Sequence, residues 1–126
     1  MSILIKSFIA SELKREIKNR LEEEKQVIVH FSLWSDAEGD MARIWKSTFL
    51  IDCATGIKYP LLIAYGISYA PDWTVIPPTR PLDFTLIFQG LPKSCILFDL
   101  VEEIPEDGGF EVRNIHRNQE DIYFVS

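Results

Sequence analysis

Gln26-Val27-Ile28-Val29-His30-Phe31-Ser32-Leu33-Trp34 alternates with a period of two. Val27, Val29, Phe31 and Leu33 fall on one side of an extended chain, and Ile28, His30, Ser32 and Trp34 on the other, as in a strand with one buried face. Residues 43–51 alternate again, with Trp45, Phe49 and Ile51 on one face and Ile44, Thr48 and Leu50 on the other. Between the two runs lies Ser35-Asp36-Ala37-Glu38-Gly39-Asp40, hydrophilic and carrying a glycine. The two runs are therefore expected to form a hairpin, with Trp45 in the core.

Further strand signals follow at residues 58–65, 84–88, 96–101, 110–115 and 122–125, separated by Gly, Pro, Asp or Asn. No helical pattern of crossover length lies between them, so a parallel α/β sheet is excluded and an antiparallel β-sandwich of about seven strands is the expected fold. Residues 70–81 hold Pro71, Pro77, Pro78 and Pro81, which deny ladder donors and bias their predecessors to extended geometry. This reads as a stiff surface connection between sheets. Upstream, Ile9, Leu13, Ile17 and Leu21 recur every four residues amid charge, making residues 7–25 the one candidate helix in an otherwise all-β chain; an edge strand over residues 3–10 is the competing reading. If the apolar stripe pairs between chains, the protein is a homodimer. The whole is read as one domain, 1–126, with a sandwich core over 26–117 and a terminal strand or tail over 118–126.

The chain has 126 residues and a formal net charge of −6, which opposes counterion-release binding to phosphate backbones and disfavours nucleic acid as a partner. No apolar run approaches the roughly 20 residues of a spanning helix, and Lys6 interrupts the N-terminal apolar stretch before it reaches signal-peptide length. No membrane insertion is expected, and a chain complete as it stands is expected in the cytoplasm. There Cys53 and Cys95 are read as reduced thiols, with a bridge between them the lesser alternative, and no paired C-x-x-C spacing offers a zinc site.

Several stretches carry a family resemblance. Leu50-Ile51-Asp52-Cys53-Ala54-Thr55-Gly56-Ile57-Lys58-Tyr59, then Phe84-Thr85-Leu86-Ile87-Phe88-Gln89-Gly90-Leu91-Pro92, then Phe98-Asp99-Leu100-Val101-Glu102 and Phe110-Glu111-Val112-Arg113-Asn114-Ile115 together resemble a small immunoglobulin-like β-sandwich module. Such modules occur in exported bacterial proteins of unknown role, sometimes ahead of a thioredoxin-like domain. The resemblance covers about residues 26–117 and implies a non-catalytic sandwich, leaving its partner open.

Chemistry-bearing patterns are sparse. Asp36, Glu38 and Asp40 alternate like the first ligands of a calcium loop, but Met41 stands where the loop needs glycine and Ser47 where it needs an acid, so a solvated hairpin is the first reading. The only histidines are His30 and His116, Ser94-Cys95 has no histidine near it in sequence, and no nucleophile elbow, metalloprotease or P-loop motif is present. No enzyme, metal or cofactor is expected. The expected function is therefore capture of another protein through Trp73, Ile76, Pro78 and Arg80 on the Pro-rich connection, with Glu102, Glu103, Glu106 and Asp107 as an acidic surface. A carbohydrate-binding module using Trp34, Trp73 and Tyr69 is the alternative, and calcium-dependent folding through the acidic loops a third.

Overall fold

The alternation at residues 27–33 is realised as strand β1 (Val27–Leu33), with Val27, Val29 and Phe31 buried. The computed structural model describes residues 25–126, which form strands and loops with no helix among them. Apart from Lys25, the expected stripe over residues 7–25 lies outside the described residues. After β1 come β2 (Met41–Ala42), β3 (Thr48–Asp52), β4 (Lys58–Tyr65), β5 (Thr74–Val75), β6 (Leu82–Phe88), β7 (Leu97–Glu102), β8 (Glu111–His116) and β9 (Ile122–Val125). The downstream strands sit within a residue or two of where their alternation and turn signals put them.

Seven of these strands form one sheet in the order β8-β7-β3-β4-β6-β1-β9, and β2 and β5 form a separate ribbon. Five of the six neighbour pairings in the large sheet are antiparallel. The sixth, β1 with β9, is parallel, so the sheet is mixed rather than purely antiparallel. It curls into a half-barrel whose concave face carries the core. Phe98 of β7 meets Tyr123 of β9 edge to face at 5.1 Å, although five places separate the two strands in the sheet order. Phe31 and Phe84 stack at 4.9 Å, and Phe110 leans on both. Burying these rings removes the large apolar area on which the fold rests.

Two expectations change. β1 does not pair with residues 43–51 as a hairpin; its neighbours are β6 and β9. The connecting loop folds on itself, because Asp40 Oδ2 accepts the N–H groups of Asp36 and Ala37 at 2.7 and 2.9 Å. The Asp40 carbonyl then accepts the Ile76 N–H at 2.8 Å and sends the chain alongside β5. Trp45, expected in the core, lies half-buried on the opposite side from Ile44, Thr48 and Leu50, all fully buried. Ile44 is pinned inward by a parallel bridge to Tyr69, and the period of two carries Trp45 outward.

The two edges of the sheet differ. On β8, Asn114 sits at φ 57°, the register slips opposite residues 98–100, and the Asp99 carboxylate accepts from the Asn114 N–H at 2.8 Å and from Arg113 at 2.9 Å. Hydrogen bonds from Asn114 first, then Arg113, hold the Asp99 carboxyl below the usual carboxylate range. β9 reads Ile-Tyr-Phe-Val and carries no charge.

The connection from β8 to β9 closes the half-barrel. Arg117 donates to both carboxylate oxygens of Asp121, to the carbonyls of Pro92 and Cys95 at 2.9 Å, and to that of Leu91 at 3.3 Å. All five guanidinium donors are used. Asp121, buried and at φ 56°, also accepts from the Tyr123 hydroxyl at 3.0 Å, and its carbonyl accepts the Ile28 N–H at 2.9 Å. Replacing Arg117 by Met leaves a buried carboxylate unpaired, so Arg117→Met is expected to lower unfolding stability by about 3–5 kcal/mol in urea denaturation. Asp121→Asn, whose side chain tolerates the left-handed backbone, is expected to cost less than Asp121→Ala.

Burial, chiefly, pushes the Tyr123 phenol up from 10.0 to about 12. Because the fold prefers the neutral phenol, this stabilisation is complete below pH 10 and is lost as pH rises through about 12. Denaturation between those pH values is expected to show a smaller fall in stability for Tyr123→Phe than for the parent chain.

Candidate functional site

Arg43 follows β2 and leaves the ribbon beside the segment that enters β5. Its guanidinium lies over the Trp73 ring, 3.9 Å from the centroid, and 5.4 Å from the centroid of Trp45. One nitrogen donates to the Pro71 carbonyl at 3.1 Å and another to Glu106 Oε1 at 3.2 Å. A planar cation with rigidly spaced donors suits this double task, stacking on one face and bonding at the rim. The result ties the Pro-rich connection to the acidic turn between β7 and β8.

That turn is held close to the sheet. Glu102 N–H donates to the Phe110 carbonyl at 2.8 Å, and a Cβ on Gly109 would stand 2.6 Å from the Glu102 carbonyl, so only glycine permits the approach. The Glu102 side chain points inward: its two oxygens accept the Trp45 N–H at 2.9 Å and the Phe110 N–H at 3.1 Å. Desolvation by burial raises its carboxyl above the ordinary glutamate range despite these bonds. Above it opens a groove of about 240 Å³ walled by Met41, Trp45, Trp73, Ile104, Asp107 and Phe110. Trp73 is 50% exposed, and Met41 and Val75, cross-strand partners on the ribbon, are at least as open to solvent.

The residues singled out from the sequence divide accordingly. Trp73, Glu102, Glu106 and Asp107 come together at this groove. Glu102 forms its buried floor, not exposed acidic surface. Glu103 turns away and pairs with Lys58. Ile76 is 5% exposed and belongs to the core, its burial fixed by the Asp40–Ile76 backbone bond. Pro78 and Arg80 are exposed on the bend that follows and do not line the groove. Trp34 is exposed elsewhere, and Tyr69 has its hydroxyl tied to the Ala64 N–H at 2.7 Å and its ring under Lys46.

Arg43 escaped sequence reasoning because its partner Glu106 lies 63 residues away and its own position reads as one more polar site in an alternating strand. The remaining polar candidates serve local structure. Asp40 caps its own loop, and no group of three or more His, Cys, Asp or Glu among the described residues is placed to hold a metal ion. Cys53 and Cys95 are both free thiols, one exposed and one buried, and desolvation raises both above the ordinary thiol value. Among the described residues no helix is long and apolar enough to cross a membrane.

Comparison with protein-family models, with characterised proteins and with solved structures finds no match. The reading of the groove rests on its own geometry. Arg43→Lys keeps the charge and loses the flat stack, so it is expected to red-shift tryptophan emission as Trp73 loosens and to cost about 1 kcal/mol in thermal unfolding.

Proposed function

We propose that this chain is a non-catalytic interaction module that captures another protein at the Arg43 groove. The observation that carries the reading is the stacking of Arg43 on Trp73 at 3.9 Å, with Glu106 bonded to the same guanidinium. It presents a half-exposed indole as a rigid anchor at little entropic cost, which is the character of an interface hot spot. Trp73, Met41 and Val75 supply apolar surface beside the exposed carboxylates of Glu106 and Asp107. A partner segment carrying an apolar anchor next to Lys or Arg complements both features.

With this function we propose an immunoglobulin-like relationship for the fold. Strand positions over residues 48–116 and the facing of Phe98 against Tyr123 across one core support it. A carbohydrate site on Trp34, Trp73 and Tyr69 has less support, since the Tyr69 hydroxyl and ring are already occupied.

An immobilised peptide array that varies apolar and basic content separately tests the reading. Enrichment of peptides with a large apolar residue flanked by Lys or Arg is expected. Trp73→Ala should weaken capture by tenfold or more, about 1.4 kcal/mol, while the chain stays folded and loses only the few degrees of melting temperature that follow from losing the Arg43 stack. Uniform binding across the array, or enrichment that persists in Trp73→Ala, overturns it.

A further inference from the structure

The convex face of the sheet carries a second feature, independent of the groove. Register places Tyr65 of β4, Thr85 of β6, His30 of β1 and Phe124 of β9 in one row across four adjacent strands. Phe124 is 81% exposed and Tyr65 56% exposed. At the usual strand spacing the ends of the row stand roughly 14 Å apart. Between them, His30 Nδ1 shares a hydrogen bond with Thr85 Oγ1 at 2.8 Å, and Ser32 Oγ donates to Asp83 Oδ1 at 2.8 Å. Among the described residues, none is hydrogen-bonded to His30 Nε2, Asp83 Oδ2 or the Tyr65 hydroxyl. The Phe124 ring stacks on His30 at 5.1 Å with its other face open. A cavity of about 460 Å³ runs along this row.

The chemistry of the lining selects the ligand. Its only charged side chain is the carboxylate of Asp83, with no Lys or Arg, so phosphates, nucleic acid and acidic sugars are disfavoured. A wholly apolar ligand would strand the imidazole, carboxylate and phenol groups on its underside, which is costly. What fits is a ligand with flat apolar ring faces and many uncharged hydroxyls, long enough to touch both aromatic ends. We propose that the Tyr65–Thr85–His30–Phe124 row is a binding platform for a neutral oligosaccharide, stacked on Phe124 and Tyr65 and hydrogen-bonded to His30 and Asp83.

The test is a calorimetric titration of the full chain with short neutral oligomers of glucose, mannose, xylose, galactose and N-acetylglucosamine, run beside a Lys/Arg-rich peptide. Saturable binding of at least one oligomer is expected. Phe124→Ala and Tyr65→Ala are each expected to weaken it about tenfold. Trp73→Ala should leave it unchanged, which separates this site from the groove and lets either reading fail alone. Phe124 is exposed, so its removal should spare the fold; if the melting temperature falls nonetheless, Asp83→Asn takes its place and should also weaken binding. The proposal is overturned by no binding across the oligomers, by binding that survives the aromatic substitutions, or by the basic peptide displacing the sugar. It is also overturned if Phe124→Ala changes the sedimentation coefficient, which would place a second copy of the chain on this face.

Discussion

One guanidinium with five satisfied donors holds this molecule closed. Arg117 binds the Asp121 carboxylate at both oxygens and three carbonyls from the loop before β7, and so joins the two ends of a sheet that would otherwise lie open. The burial of Tyr123 against Phe98 depends on that closure, as does the parallel seat of β9 beside β1. A buried ion pair gains little over an apolar pair of equal volume, but it admits one geometry only. Here that geometry sets the curl of the sheet, and the curl decides which residues face inward.

Much of the strand pattern was legible because period-two alternation is a local signal. Val27, Val29, Phe31, Phe84, Leu86 and Phe88 announce one buried face without reference to anything distant. Pairing is not local, and there the sequence misled. The loop at residues 35–40 looks like a hairpin turn, yet the Asp40 carboxylate folds it on itself and β1 finds β6 instead. Trp45 shows the complementary error: its alternation was read correctly and its face wrongly, because nothing in a strand's own sequence says which side meets the core when both sides are apolar.

The groove was half legible. Trp73 and the acidic turn each stood out by residue type, but only the folded chain brings them within reach of Arg43, and an arginine in an alternating strand has no signature. Ile76 was misread because a residue between prolines looks like surface; a single backbone bond to Asp40 turns it inward. The convex row from Tyr65 to Phe124 was invisible for the same reason that pairing was: its four members come from four strands, and their alignment exists only in the register.

The unlike edges of the sheet bear on how copies of this chain can associate. Asn114 in a left-handed conformation and the Asp99–Arg113 pair interrupt the ladder on β8, whereas β9 presents an uncharged strand. Head-to-tail growth of a fibril requires that each chain both offer and accept a strand. Among the described residues only β9 offers such an edge, so a pair joined through it would leave no equivalent edge for a third copy.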